Sequence, residues 1–415
     1  MLSEIVNKSC PNSPKMDPSK EGFRAWLQVI LCHFVVFNTW GYINSFGLFQ
    51  SYYQTSLGHS ESDLSWIGSL QIFLLFFGGV FSGRLTDAGY FKPVFIIGVL
   101  FQLVGIFTTS ISTQYYQVFL AQGVCIGIGN GFLFCPSLTV ISSYFTRCRS
   151  LAIGVAVSGS GTGGIIFPAI ANATLERLGF AWTVRILGFI SALTHLPCIL
   201  FLKPRLPARK AGPILEVTAF KEAPYALFSI AMFFNFLGLY FTFFYLSDFA
   251  RGILHASAPV SMDVLMILNG TGILGRLLPS FLADRSFGLL NTMIPMNVCT
   301  SIVMFCWASV SSIGGLYAFT VVYGFFAAGV QSLFPAVVAY LTDDPTRTGT
   351  RMGMVFAIVG FACLVGLPIS GQLIIAEGNT YLAAQMAAGT FLLIGAVFML
   401  GARVGKTGRV WCVKA

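Results

Sequence analysis

The sequence contains few charged residues. Asp, Glu, Lys and Arg make up only 9% of its 415 residues, while 56% are hydrophobic. A soluble domain carries roughly 25% charged residues, so a soluble fold of this length would need more polar surface than this chain can supply. Its repeated long apolar runs instead predict an all-α polytopic membrane protein.

The sequence also lacks the common motifs of enzymes, metal sites and nucleic-acid binding. It has no H-E-x-x-H, no four-residue metal constellation and no pair of catalytic carboxylates within an apolar run. The ten cysteines show no C-x-x-C spacing and are typical of small buried residues with free thiols. The net charge of +9 is spread over short connections and forms no dense basic domain. We therefore expect no enzyme, no metal, no cofactor and no nucleic-acid partner.

One glycine-rich stretch needs a separate interpretation. GSGTGG, from Gly159 to Gly164, fits the G-x-G-x-x-G pattern that can bind a dinucleotide pyrophosphate. No predicted strand precedes it, and it lies inside an apolar run. Small residues recur every fourth position, at Gly159 and Gly163 among others, which is the spacing of closely packed membrane helices. We interpret the stretch as a smooth helix face against which a neighbouring helix slides.

Apolar runs long enough to cross a bilayer occur twelve times. A helix needs roughly 20 mostly apolar residues to cross the hydrocarbon core. The predicted spans are 26–51, 64–83, 93–112, 115–138, 150–172, 182–202, 225–246, 261–282, 291–310, 315–341, 353–375 and 381–402. The polar segment 203–224 divides them into two blocks of six.

The spans define the predicted domains and orientation. We expect a tail at 1–25, a six-helix bundle at 26–202, a linker at 203–224, a second bundle at 225–402 and a tail at 403–415. Most of the 24 Lys and Arg residues fall in the tails, the linker and the loops on their side of the membrane. The positive-inside rule then predicts that both termini and the linker are cytoplasmic.

The two blocks contain matching motifs. SGRLTDAGYF (82–91) follows the second span and SFLADRSFG (280–288) follows the eighth, which gives Asp87 and Asp284 equivalent places. Pro136 likewise matches Pro335, and Pro168 matches Pro368. A parallel repeat of six spans is typical of transporters whose halves rock about a central site.

These motifs resemble those of the major facilitator superfamily. The G-x-L-x-D at Gly83, Leu85 and Asp87 is similar to the family's signature between spans two and three. EGFRAW (21–26) resembles the first signature of the monocarboxylate porter family. The second signature of that family is similar to the stretch that enters span five, through Tyr144, Phe145, Arg149, Leu151, Ala152, Gly154, Ala156 and Gly159. The residues of both motifs are most similar to those of the fungal branch of this family. The resemblance implies the major facilitator fold.

The resemblance also implies a substrate site around Arg276. The family's span-eight arginine, which binds a carboxylate, matches this residue. Gly272 stands where the family has an acidic residue that takes part in proton coupling, and Asn44 stands where carboxylate carriers have a lysine. These two departures do not support the proton–lactate type of mechanism and favour a bulkier substrate.

Other polar residues within the spans complete the candidate site. Each could instead satisfy the backbone of a neighbouring helix, but together their amides and rings suit a ring-bearing or polyketide-like molecule. The predicted substrate-binding residues are Arg276, Asn44, Tyr42, Asn38, Asn130, Asn235, Tyr240, Asn269 and Gln331.

Gating residues are predicted at the cytoplasmic ends of the helices. A carboxylate there can cap the N-terminus of a neighbouring helix or pair with an arginine. The predicted gating set is Asp87, Arg84, Arg147, Arg149, Asp284, Arg285, Gly159 and Gly163.

The sequence thus predicts a secondary transporter that moves a small organic solute by alternating access. We expect export of an organic acid or a secondary metabolite by a monomer that contacts membrane lipid, with the plasma membrane as its location. An uptake carrier for a monocarboxylate or a vitamin-like solute, or a nutrient sensor with a transporter fold, are the alternatives. Proton symport and facilitated diffusion both fit the sequence.

Overall fold

The computed structural model describes residues 22–59, 61–208, 213–378 and 380–408. Most of the predicted N-terminal tail, the end of the C-terminal tail and residues 209–212 of the predicted linker lie outside the described residues. Within the described residues all regular secondary structure is helical, and there is no strand. Helices are what an apolar chain must form in hydrocarbon, because each helix satisfies its own backbone hydrogen bonds.

Within the described residues, eleven apolar helical segments are long enough to cross a membrane, and one of them is long enough to cross it twice. This segment, Arg149–Phe201, has 53 residues and turns at Gly179, whose φ of 77° no other kind of residue adopts easily. The twelve spans are α1 (Phe23–Leu57), α2 (Asp63–Asp87), α3 (Phe91–Thr109), α4 (Tyr115–Tyr144), α5 (149–178), α6 (180–201), α7 (Ala223–Gly252), α8 (Ala258–Leu282), α9 (Leu289–Cys306), α10 (Ile313–Tyr340), α11 (Thr348–Ala376) and α12 (Leu382–Thr407). The predicted twelve-helix fold is confirmed.

The helices differ from the predicted spans mainly at their ends. The first span was predicted to end at 51 and the seventh at 246, but α1 continues to Leu57 and α7 to Gly252. The predicted loop between spans five and six is helical up to Gly179. Polar residues such as Glu176 and Arg177 suggested a loop there. A helix that extends past the hydrocarbon tolerates such residues, so polarity marks the membrane boundary rather than the helix end.

The face of the membrane at which α1 begins and α12 ends is called the terminal face below. There the first six helices contact the last six at very short range. A side chain on Gly83 of α2 would meet the backbone carbonyl of Gly349 on α11, and one on Gly353 of α11 would meet the backbone carbonyl of Gly79 on α2. Glycine therefore allows the backbones of α2 and α11 to touch, as small residues do in other membrane helix pairs.

The small residues of α5 serve two different contacts. Gly159 and Gly163 pack against the backbone of α1, in the same half of the molecule, beside His33 and Phe37. Gly154 instead packs against α8 in the other half, where an added Cβ would lie 2.8 Å from the carbonyl oxygen of Arg276. Both contacts are close helix packing, as the small-residue spacing predicts, but the neighbour of Gly159 and Gly163 is α1 of the same half, and their gating role stays a prediction. Helical rotation separates positions 154 and 159 onto different faces.

These contacts predict different effects of leucine at the two positions. Gly159→Leu should lower the melting temperature and the yield of folded protein, because it separates α1 from α5 within one half. Gly154→Leu should leave the melting temperature closer to that of the wild type but abolish transport, because it separates α5 from α8 between the halves. Melting curves and transport rates of the purified, reconstituted protein test this expectation.

Gly314→Leu is the matched control, because nothing lies within 4 Å of a Cβ added at that glycine. A stable, fully folded Gly159→Leu protein that cannot transport would contradict the assignment of Gly159 to packing within one half.

Candidate functional site

Arg276 lies buried on α8, whose backbone packs against Gly154 of the first half, with only 2% of its surface exposed. Its Nη2 donates a hydrogen bond of 2.9 Å to Oε1 of Gln331 on α10. Gly272, one turn earlier on α8, leaves the space that the guanidinium fills, because a Cβ there would lie 2.6 Å from Nη1. The absence of an acidic side chain at position 272 thus allows the arginine to fold back along its own helix.

The charge of Arg276 has no acidic partner within the described part of the chain, where every ion pair found involves other residues. Nε of Arg276 and Nε2 of Gln331 are both buried donors without an acceptor. A buried charge is costly unless it is paired and hydrogen-bonded. The site therefore presents one positive charge and two unused N–H donors.

Asn44 and Asn269 extend this polar region toward the middle of the membrane. Asn269 precedes Arg276 by seven residues, so both lie on the same face of α8. A Cβ added to Gly164 of α5 would lie 2.5 Å from Oδ1 of Asn269 and 2.7 Å from Nδ2 of Asn44. The two amides therefore meet over the bare backbone of Gly164, at the junction of α1, α5 and α8.

A cluster of seven aromatic rings fills the centre of the molecule beside the polar region. It is called the aromatic cluster below and joins the halves through contacts such as Phe76–Phe236, at 5.8 Å between ring centroids, and Phe134–Phe356, at 5.4 Å. Its members come from six helices and are Trp40, Phe76, Phe134, Phe236, Tyr240, Phe334 and Phe356.

The sequence-based site included only Tyr240 from the aromatic cluster. Phenylalanine is frequent in every span, with 41 copies in the chain, so composition does not mark the central ones. The available signal was the position of Phe134 and Phe334 just before the matched prolines Pro136 and Pro335.

Five of the predicted binding residues lie in this central region: Arg276, Gln331, Asn269, Asn44 and Tyr240. Tyr240 belongs to the aromatic cluster through its ring contacts with Trp40 and Phe236. Whether these residues bind substrate stays a prediction.

The other four predicted binding residues lie within one half each, which corrects the predicted site. Nδ2 of Asn38 donates to Oγ1 of Thr194 on α6 at 2.8 Å, and Oδ1 of Asn130 accepts from Nε2 of Gln102 on α3 at 2.9 Å. Tyr42 is fully buried in an apolar cluster of the first half, and Asn235 faces Gly395 of α12. Spacing along a helix reveals that a residue is polar and buried, but not which neighbouring helix it faces.

Asp87 and Asp284 each cap a helix of the opposite half at the terminal face. The Asp87 carboxylate accepts hydrogen bonds from the backbone N–H of Gly349, at 3.0 Å, and of Thr350, at 2.7 Å, at the start of α11. Asp284 accepts from the backbone N–H of Ser150, at 3.1 Å, and of Leu151, at 2.8 Å, at the start of α5. A carboxylate at a helix N-terminus satisfies free N–H groups and interacts favourably with the helix dipole.

The predicted gating arginines occupy different environments. Arg149 bridges the halves, because its Nη1 donates to the carbonyl of Ala339 at the end of α10, at 3.3 Å. Arg84 is buried on α2 near Asp87, whereas Arg147 and Arg285 are exposed. The gating role of all four arginines stays a prediction.

An ion-pair network between the linker and α11 was missed from sequence. Glu216 contacts Arg347 at 2.6 Å and Arg351 at 3.4 Å, and Glu222 contacts Arg351 at 2.6 Å. Burial raises the pKa of Glu216, but hydrogen bonds from the two arginines outweigh burial and hold its pKa below the usual value. The carboxylate therefore stays charged at neutral pH and fixes the linker beside the helix start that Asp87 caps.

The capping geometry predicts the effect of removing one carboxylate charge. Asp87→Asn should slow transport several-fold, because a charged cap contributes about 1 kcal/mol to contacts that hold the halves together at the terminal face. The set of accepted substrates should not change, because Asp87 lies away from Arg276. Initial transport rates for several competing solutes measure both properties.

Asp284→Asn should behave in the same way, since its contacts repeat those of Asp87. Asp343→Asn is the control, because Asp343 is exposed and pairs only with Lys406 in the ion pairs described. An altered substrate range at a normal rate in Asp87→Asn would show that this residue contributes to recognition instead.

Comparison with known proteins agrees with this architecture. Residues 29–285 match the model of the Major Facilitator Superfamily. An "MFS-type transporter" of Gibberella zeae is 42% identical over 406 residues, which cover 97% of this chain and 92% of that protein. The "Aspyridones efflux protein apdF" of Emericella nidulans is 35% identical over 399 residues, 95% of this chain and 81% of that protein.

Solved structures share the fold at much lower identity. The crystal structure of the human organic anion transporter MFSD10 superposes with a TM-score of 0.73 at 16% identity, covering 93% of this chain and all of that one. The family match over residues 29–285, the two fungal relatives and the twelve helices agree with one another. The chain therefore belongs to the Major Facilitator Superfamily of membrane transporters.

Proposed function

We propose that this protein exports a small anionic secondary metabolite, with Arg276 as the residue that binds the negative charge. The observation that carries the proposal is the buried guanidinium on α8, the helix that packs against α5 of the other half, with no carboxylate partner among the described residues. A substrate carboxylate or enolate would supply the missing charge and accept the unused N–H of Arg276. Guanidinium geometry suits such a planar, two-oxygen acceptor.

The neighbouring groups favour an organic anion with further polar and apolar parts. Gln331, Asn269 and Asn44 offer amides along one wall, and the aromatic cluster forms the other. A very small monocarboxylate would leave most of these groups without a contact. The name of the Emericella nidulans relative describes an efflux protein for aspyridones, which supports export as the direction and a secondary metabolite as the cargo.

The transport cycle follows from the contacts at the terminal face. Asp87 and Asp284 hold the halves together there while the central site faces the opposite side, and both caps break when the halves rock. Arg149 adds a bridge between the halves on the same face. Gly159 and Gly163 keep α1 and α5 moving as one unit, while Gly154 marks the surface along which α5 moves against α8.

Orientation and location belong to the same proposal. The terminal face, with its Lys and Arg residues, is cytoplasmic in the plasma membrane, and the protein works as a monomer. The signatures at 21–26 and 144–159 support membership of the monocarboxylate porter branch. No carboxylate occupies position 272 beside Arg276, so coupling through an acidic residue at that place is not part of the mechanism.

Metabolite profiling with Arg276 variants tests the proposed function. Deleting the gene should raise the intracellular to extracellular ratio of at least one acidic metabolite, and the wild-type gene should restore it. Arg276→Gln should fail to restore export, because the positive charge is lost. Arg276→Lys should restore part of it, because the charge remains but the two-pronged geometry does not.

Surface abundance of each variant, measured in parallel, separates loss of export from loss of protein. A metabolite that is depleted inside the deletion strain would indicate uptake instead of export. Full export by Arg276→Gln would contradict the role of Arg276 in binding an anion.

A further inference from the structure

Trp40 and Tyr240 form a parallel ring pair across the two halves. Trp40 lies on α1 and Tyr240 on α7, each seventeen residues after the first residue of its helix. Their ring centroids are 5.8 Å apart, and their planes differ by only 10°. Because α1 and α7 are equivalent helices of the two repeats, the pair lies where the repeats face each other near the middle of the membrane.

The surroundings of the pair differ from those of the other rings. Trp40 meets Phe76 and Phe134 at interplanar angles of 60° and 72°, and Tyr240 meets Phe236 at 53°. Edge and tilted contacts hold each of the two rings in a fixed orientation within its half. Among the described ring contacts of Trp40 and Tyr240, the contact between these two residues is the one that is nearly parallel, so two supported rings lie parallel and offset across the boundary between the halves.

The anion site lies next to one of these faces. Asn44 follows Trp40 by one turn of α1, and its amide meets that of Asn269, which shares a face of α8 with Arg276. A molecule that places its negative charge on Arg276 and extends along these amides therefore has the ring pair within reach of its remaining atoms. A flat conjugated ring would match the parallel faces, whereas a puckered saturated ring would not.

We infer that Trp40 and Tyr240 are specificity-determining residues that clamp a flat aromatic ring of the substrate between the halves. The substrate ring replaces the direct Trp40–Tyr240 contact and touches α1 and α7 at once. Binding of a flat ring thereby links the two halves through the substrate, which favours closure around an occupied site. This inference rests on the proposed anion site at Arg276 and adds the shape and chemistry of the rest of the substrate.

A matched pair of probes tests the clamp on the full-length, purified protein. The probes are 2-naphthoate and its saturated analogue decahydro-2-naphthoate, which share the carboxylate but differ in flatness and aromaticity. Isothermal titration calorimetry should give the wild type a Kd for 2-naphthoate about tenfold lower than that for the saturated analogue, since aromatic stacking adds to simple area burial.

Variants separate the clamp from simple packing. Trp40→Leu and Tyr240→Leu should bring the ratio of the two dissociation constants close to one while leaving the Kd of the saturated probe nearly unchanged. Trp40→Phe and Tyr240→Phe should keep the preference for 2-naphthoate, because each retains a ring. Phe95→Leu is the control, because it removes a fully buried ring whose described ring contacts, to Phe91 and His195, lie outside the aromatic cluster.

The outcomes distinguish the inference from the proposed function. Equal affinity of the wild type for both probes, or a preference that Trp40→Leu and Tyr240→Leu leave intact, overturns the clamp and leaves the anion site standing. Binding of both probes that Arg276→Gln does not weaken overturns the anion site. Binding of neither probe contradicts both.

Discussion

Hydrocarbon offers no hydrogen-bond partners, and this constraint governs where each polar group of the protein lies. The backbone satisfies it by forming helices along the described chain. Side chains satisfy it by finding partners inside the protein, as Asn38 does with Thr194. Against this background, a buried donor without an acceptor is informative. Arg276 carries such a donor together with a full charge, at the boundary between the halves.

The same constraint explains the contacts at the terminal face. Glycines let α2 and α11 approach until their backbones touch, and the carboxylates of Asp87 and Asp284 then satisfy the N–H groups at the starts of α11 and α5. Each cap joins two halves and is formed by the same motif in each repeat. Two weak, reversible interactions of this kind suit the proposed closure, which breaks during transport, whereas a continuous apolar interface would resist opening.

The central region combines a polar and an aromatic wall. Arg276, Gln331, Asn269 and Asn44 lie along α8, α10 and α1, and the aromatic cluster fills the space next to them. Both walls receive residues from both halves. The contacts of a substrate that touches both walls would therefore depend on the relative position of the halves. Such a dependence is what allows substrate binding to change the equilibrium between two arrangements of the halves.

The sequence by itself determined the number of spans, the repeat and the place of the caps. Apolar runs of membrane length, the matched Asp87 and Asp284 motifs and a charged residue inside a span are each local signals that need no knowledge of neighbours. Only the tertiary structure decided which side chains meet. Helix rotation sends Gly154 to the other half and Gly159 to α1, turns Asn38 and Asn130 away from the centre, and brings Trp40 parallel to Tyr240. The reason is that apolar composition determines which segments enter the membrane, whereas packing between helices determines which neighbouring helix each side chain faces.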